Sequence, residues 1–312
     1  MAYQQTTATS VEDLINKLAT FASGLGWTID RNTIATGNRT LSISRAGSDY
    51  IHIFNSDTSN INLRASTGIN TGLGPTLQPG VSAAQAVSNC GAGPFATVFL
   101  FGEAGAAPYV HCVFDTGNAI FRHIHFGMIE KIGSWTGGTF FDATNVNTVS
   151  NFNDRPTLNW HHVSFSQQDN NNGTEGGIRI DFDGNTSYFA PITNEGSFTT
   201  RVVHGGVSGD GSSNGGRDLQ GFYLSSVNSW SGVTPLRRIK LRAERGSGFW
   251  SEIGYVPGMR LVNIARWAVG DEFSIGPDTW KVFPWWRQGF RPSGDTTSAY
   301  SGNYGFAYLK TL

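Results

Sequence analysis

Only one stretch of this chain repeats its apolar residues at helical spacing. Leu14, Ile15, Leu18, Phe21, Ala22 and Leu25 recur every three or four positions, which puts them on one face of an α-helix. Ser10 followed by Asp13 is a capping box in its aspartate form, and Glu12 and Asp13 suit the positive end of a helix. Gly24 or Gly26 can close it in the left-handed conformation. Everything afterwards reads as strand and turn. Trp27 to Asp30, Thr40 to Ser44, Asp49 to Asn55 and Asn60 to Ala65 alternate with period two. Leu41 and Ile43, Ile51 and Ile53, and Ile61 and Leu63 are therefore expected on one side of a small antiparallel sheet, against which the helix lies.

Residues 67 to 95 break this pattern. Gly68, Gly72, Gly74, Pro75, Pro79, Gly80, Gly91, Gly93 and Pro94 predict a long loop, with room for one short helical turn near Ser82 to Val87. A loop of this length in a compact chain is usually functional or gripped by a partner. Strands resume at Ala96 to Phe101, Tyr109 to Phe114 and Ala119 to Ile129. Gly133 to Asp154 is again rich in Gly, Thr and Asn. Further strands are expected at Trp160 to Ser166, Ile178 to Asp183, Phe222 to Ser226, Leu236 to Ala243, Leu261 to Trp267, Glu272 to Ile275, Thr279 to Phe283 and Gly305 to Leu309. Gln167 to Gly177 and Gly205 to Gly216 have almost no core-forming residues and are expected to be mobile or ordered only by contact. The reading is a mainly β chain with a short N-terminal α/β unit. Residues 1–66 form a helix plus antiparallel sheet, 67–95 a long loop, and 96–312 a β-sandwich or barrel-like region that could divide again near 205–217. No fixed-period repeat is visible, which argues against solenoids and propellers.

Composition narrows the function. The 312 residues include 40 glycines, only 14% are charged, and the formal net charge is −1. Charged residues ordinarily make up about a quarter of a domain. Such a chain lacks the clustered cations that nucleic acid demands. In the one basic cluster, Arg237, Arg238, Lys240, Arg242 and Arg245, the period-two spacing of Arg238, Lys240 and Arg242 reads as the solvated face of a strand whose other face carries Ile239 and Leu241. A contact with an acidic partner surface is the sharper alternative. Cys90 and Cys112 are too few for a disulfide framework and are expected as buried thiols. The opening Met1 to Gln5 is polar and uncharged, so no leader peptide is expected and synthesis is placed in the cytoplasm. Apolar runs such as Ala96 to Phe101 are far too short to span a bilayer, and no membrane insertion is expected.

No residue pattern declares a reaction. His123 and His125 form an H-x-H pair whose imidazoles share one face of a strand, a geometry that suits a metal, but no third ligand is local. His161 and His162 are adjacent and would point to opposite faces, as would His111 and Cys112. Asp181-Phe182-Asp183-Gly184-Asn185 opens like a calcium loop yet lacks the later oxygen donors, and a hairpin turn explains it better. Glu103, Asp115, Glu130, Asp142 and Glu175 show no pairing of the kind glycan hydrolysis needs. No nucleophile elbow, zinc-protease motif or phosphate loop is present. No enzyme, no cofactor and no resident metal are expected.

The aromatic residues point elsewhere. Trp267, Trp280, Phe283, Trp285, Trp286 and Phe290 crowd together near the C-terminus. Adjacent Trp285 and Trp286 cannot both face one core in an extended chain, so one of them meets another layer, another subunit or a ligand. Trp267, Trp285, Trp286 and Phe290, with Leu73, Pro75 and Leu77 of the long loop, are the residues expected at an interface.

Several short blocks resemble the structural virion proteins of tailed bacteriophages. They are Thr9-Ser10-Val11-Glu12-Asp13-Leu14-Ile15-Asn16-Lys17-Leu18 with Gly26-Trp27-Thr28-Ile29-Asp30-Arg31, then Gly91-Ala92-Gly93-Pro94-Phe95, Trp135-Thr136-Gly137-Gly138-Thr139-Phe140-Phe141-Asp142, and Trp280-Lys281-Val282-Phe283-Pro284-Trp285-Trp286-Arg287. The resemblance implies a virion component, an oligomeric ring or multimer in the tail, neck or baseplate. Its partners would be copies of itself and other phage tail, neck or baseplate proteins, and it transfers no catalytic residue. The rival reading is a carbohydrate-binding adhesin for a host surface glycan, since Asn, Asp and Trp suit sugar hydroxyls and sugar faces. A glycan hydrolase is a weaker third.

Overall fold

In the computed structural model the described residues are 1–45, 48–82, 84–144, 179–182, 202–204, 236–244, 250–289 and 304–311. The chain is mainly β; the described residues form one helix and three antiparallel sheets. Helix α1 spans Val11–Gly24, and the Ser10 hydroxyl at its N-cap accepts from the Asp13 amide (3.2 Å). Thr9 completes the box by donating its amide to the Asp13 carboxylate (2.9 Å). The apolar face read from the sequence is the buried one: Leu14, Ile15, Leu18, Phe21 and Ala22 are all buried.

Five strands follow as a meander: β2 (Thr28–Ala35), β3 (Asn38–Arg45), β4 (Ser48–Asn55), β5 (Ile61–Ser66) and β6 (Gln85–Val87). Thr36 and Gly37 turn the β2–β3 hairpin with φ of 53° and 77°, the pair of positive values that a two-residue hairpin turn requires. Leu41, Ile43, Ile51, Ile53, Ile61 and Leu63 are fully buried on the helix side, as their alternation predicts. Gln85–Val87 is a short strand against β5, where a helical turn was expected.

The second sheet has the order β1-β7-β8-β9-β11-β12, with β1 (Ala2–Ala8), β7 (Phe95–Glu103), β8 (Tyr109–Asp115), β9 (Phe121–Met128), β11 (Gly137–Ala143) and β12 (Arg179–Phe182). Its first strand comes from the very start of the chain: Ala2–Ala8 pairs antiparallel with β7. The third sheet contains β13 (Val202–His204), β14 (Arg237–Glu244), β15 (Trp250–Asn263), β18 (Tyr304–Thr311), β17 (Asp278–Pro284) and β16 (Glu272–Ile275), with β10 (Glu130–Lys131) pairing on β15.

The six-stranded sheet is the middle layer. Val98, Leu100, Val110, Cys112, Phe114, Ile124, Phe126 and Phe141 face the helix and the five-stranded sheet. Phe99, Phe101, Val113, Phe121 and Phe140 face the third sheet, meeting Phe283, Phe306 and Tyr308. Burial on both faces is why β7 and β8 read as continuous apolar runs, a pattern more usual in parallel sheets. One core therefore spans both sides of residue 67: Leu14, Ile51 and Leu63 share it with Phe95, Phe114 and Phe141. On β14, Ile239 and Leu241 are buried while Arg237 and Arg238 are exposed, and Arg238 pairs with Glu130 and lies over Tyr255. The strands read at Trp160–Ser166 and Phe222–Ser226, the polar stretches Gln167–Gly177 and Gly205–Gly216, His161, His162, the turn Asp183–Asn185 and Phe290 lie outside the described residues.

One glycine marks how tightly the middle and third sheets meet. Gly258 on β15 has φ 58°, and a Cβ there would fall onto the Tyr109 ring. Left-handed strain of about 1–2 kcal/mol adds to an overpacking cost of about 1–3 kcal/mol. Gly258→Ala is expected to lower the thermal midpoint by several degrees, measured by calorimetry. An unchanged midpoint would show that the two sheets do not meet closely at this point.

Candidate functional site

The long loop after β5 is built rather than loose. Its neck is closed by the Thr67 amide donating to the Pro79 carbonyl (3.0 Å) and by Ser82, whose amide reaches Ala65 O (2.8 Å) while its hydroxyl accepts from the Ala65 amide (3.0 Å). Inside it, Gln78 is 3% exposed. Its Oε1 accepts from the Asn70 amide (2.7 Å), and its Nε2 donates to the carbonyls of Asn70, Leu73 and Gly74 at 2.9–3.0 Å. From β2, Arg31 reaches two of the same carbonyls, Leu73 (2.7 Å) and Asn70 (2.9 Å). A segment closed at its ends and packed on its own side chains is an Ω-loop.

A buried hydrogen-bond chain ties the sheet to this loop. Ser66 gives its hydroxyl proton to Gly68 O (2.6 Å), so it accepts from His52 Nε2 (2.7 Å), and His52 Nδ1 then accepts from the Ser42 hydroxyl (2.9 Å). All three side chains are fully buried. Burial, then the nearby Arg31 charge, lowers the His52 pKa to about 4. On the rigid base so formed, Leu77 is 66% and Leu73 37% exposed, and Pro75 is half-buried. The loop residues named from the sequence are thus brought together and presented to solvent.

The aromatic residues named with them fare differently. Trp285 is 4% exposed and packs on Phe306 (5.5 Å between centroids) in the core between the middle and third sheets. Trp286 is 3% exposed and turns the other way, covering Arg122. The "other layer" met by one of the pair is therefore the chain's own. Trp267 is half-buried against Phe273 (4.8 Å). Among residues not named beforehand, Ile34 (56%) on the β2 edge strand and Ile275 (55%) on β16 are exposed apolar side chains.

The H-x-H pair gains a third imidazole that spacing could not show. His111 on β8 lies directly opposite His125 on β9, and His111, His123 and His125 are all fully buried against the third sheet. His123 Nε2 donates to Pro284 O (3.0 Å), leaving Nδ1 to accept from the Tyr308 hydroxyl (2.7 Å). His111 Nε2 donates to Pro257 O (2.8 Å), so its Nδ1 accepts from His125 Nδ1 (3.1 Å). This set of bonds is consistent with three neutral rings, since a second proton on His111 would oppose that of His125. Among the described residues no group of three or more His, Cys, Asp or Glu side chains is placed to hold a metal ion. Burial lowers His111 to about 4 and His123 to about 3, and holds His125 well below its usual range. Burial, with Cys112 and Asp142, keeps the Tyr308 hydroxyl protonated far above its ordinary range.

Arg122, on β9 immediately before His123, points to the opposite face of the sheet from the histidine pair and is 4% exposed. Its Nη2 donates to Asn89 O (3.2 Å), and its Cζ lies 3.6 Å from the Trp286 ring centroid. Nε and Nη1 are buried without a hydrogen-bond partner. Burial lowers its pKa to about 9, opposed only by Cys90. A desolvated cation–π contact contributes about 2 kcal/mol, whereas burying an ion costs several kcal/mol. One ring and one carbonyl leave that cation under-compensated.

Four buried histidines make folding acid-sensitive. The unfolded chain binds protons on them near pH 6.5, while in the folded chain His52 and His111 do so only near pH 4 and His123 near pH 3, and His125 is held well below its usual range. Stability is therefore full above pH 6.5 and falls as pH drops toward 4, each histidine contributing about 1.4 kcal/mol per pH unit. Thermal melts between pH 7.5 and 4.5 should show a midpoint that is flat above pH 7 and collapses below pH 6. A midpoint unchanged down to pH 5 would contradict this.

No helix among the described residues is long and apolar enough to cross a membrane. No protein-family model matches the chain, and no curated protein matches it.

Proposed function

We propose that this chain is a structural subunit that works by contact with neighbouring subunits, and that its setting is the tail or head–tail neck of a tailed-bacteriophage particle. The observation that carries the contact reading is the Ω-loop. A segment that fixes Gln78 and Arg31 on the same carbonyls, yet leaves Leu73 and Leu77 in water, holds apolar side chains in place for something to cover. Ordering such a loop costs about 1–2 kcal/mol per residue in backbone entropy, and ring symmetry would multiply a modest contact at each copy. The phage setting is supported by the resemblance of the sequence blocks around Ser10, Gly91, Trp135 and Trp280. The glycan-binding alternative draws on open indole faces, and Trp27, Trp280, Trp285 and Trp286 are buried.

The test is sedimentation velocity over a concentration series, comparing the full chain with a Leu73→Ser/Leu77→Ser double variant. The full chain should associate with itself, and the variant should do so about 10- to 100-fold more weakly, the effect of one or two leucines no longer buried. Its thermal midpoint should be unchanged, because both side chains are exposed. A chain that stays monomeric at every concentration and does not co-sediment with particle proteins overturns the reading.

A further inference from the structure

We propose that Arg122 forms the floor of a binding site for a small oxyanion, a phosphate or carboxylate group. The proposal is independent of the loop contact. Its basis is a guanidinium that is 4% exposed, keeps Nε and Nη1 without hydrogen-bond partners, and has no carboxylate paired with it among the described residues. The acidic group beside this segment, Asp57, has its oxygens committed to the Ser59 amide (2.7 Å) and to Asn60 Nδ2 (2.6 Å). A guanidinium presents its donors as two edges, Nε with Nη2 and Nη1 with Nη2, and either edge is matched by a ligand with two charged oxygens rather than by a single dipole.

The route is also legible. The one acceptor that Arg122 has is the carbonyl of Asn89, an exposed residue held at φ 53° with its amide on Asn60 Oδ1 (2.9 Å). Asn89 lies in the segment 88–94, where Gly91 and Gly93 also have positive φ and residues 91–94 are exposed. This segment is the wall between the guanidinium and water. The oxyanion enters when the wall shifts and draws the Asn89 carbonyl off Nη2, takes Nη2 together with Nε, and lies beside the Trp286 ring that covers the guanidinium. Cys90, next in the wall, donates its thiol to Ser59 O (3.0 Å) and stays protonated, so it does not supply the missing charge.

The experiment compares thermal midpoints of the full chain and an Arg122→Met variant in chloride, acetate and inorganic phosphate at equal ionic strength. With ~50 mM phosphate or acetate the unmodified chain should gain ~3 °C over chloride, the shift expected for a ligand well above its dissociation constant. Arg122→Met should show no such gain and should start from a higher midpoint in chloride, since an uncompensated charge is gone. A gain with phosphate alone assigns a phosphate site; a gain with acetate as well assigns a general carboxylate and phosphate site. Equal gains in both proteins reflect solvent exclusion and overturn the proposal, as does no gain in the unmodified chain. If Arg122→Met does not fold, the phosphorus-31 line width of inorganic phosphate titrated with the unmodified chain decides. Saturable broadening that acetate or excess phosphate reverses supports the site, and its absence overturns it.

Discussion

The central strands of the middle sheet, β8, β9 and β11, have water on neither face, and most of the rest of the molecule answers to that. Each polar side chain on β8, β9 and β11 must find its partner inside the protein, because none can turn to solvent. On the face toward the third sheet most of the histidine nitrogens are matched: backbone carbonyls of Pro257 and Pro284, the Tyr308 hydroxyl and the facing imidazoles assign each histidine proton. On the face toward the helix the same strand carries Arg122, and the condition is met only in part.

This contrast separates a buried polar group that specifies a fold from one that invites a ligand. The histidines are neutral and joined across two strands, so they select one register between β8 and β9: a slip of one residue would put His111 on the opposite face from His123 and His125. They stabilise nothing relative to an apolar core, and their cost appears only when acid gives the unfolded chain protons that the folded chain cannot accept. An arginine has no neutral form to fall back on near pH 7. Its burial therefore leaves a charge that some group must balance.

What the sequence revealed follows the same division. Elements with one wet face declared themselves: α1 through Leu14, Leu18 and Phe21, and β4 and β5 through Ile51, Ile53, Ile61 and Leu63. Strand β1 was read as a polar opening because an edge strand of Gln and Thr is held through backbone pairing with β7, which leaves no apolar period. Strand β11 was hidden by Gly137 and Gly138, read as loop residues, whereas a Cβ at those sites would meet Asp181 and Lys131. His111 joins His123 and His125 by strand register rather than by spacing, and Arg122 on an alternating strand reads as a solvated residue until Trp286 arrives from a distant segment. The interface residues divided for a similar reason. Leu73, Pro75 and Leu77 stand where a closed loop lifts them, while Trp285 and Trp286 fill gaps that only tertiary packing defines.

The loop and the arginine pose the same physical question at opposite degrees of exposure. Leu73 and Leu77 are apolar groups held in water by a scaffold that fixes them there, and Arg122 is a charged group held away from water by a scaffold that does not neutralise it. Neither arrangement lowers the free energy of the isolated chain, and both lower it once something binds: an apolar neighbour in the first case, a charged oxygen in the second. Stability set aside at two unrelated places, each by side chains whose own hydrogen bonds or stacking keep them in position, is what the proposed neighbour and the proposed oxyanion would each recover. The glycine-rich, charge-poor composition is in keeping with that proposal, since a surface covered by a neighbour has little use for solvating charge.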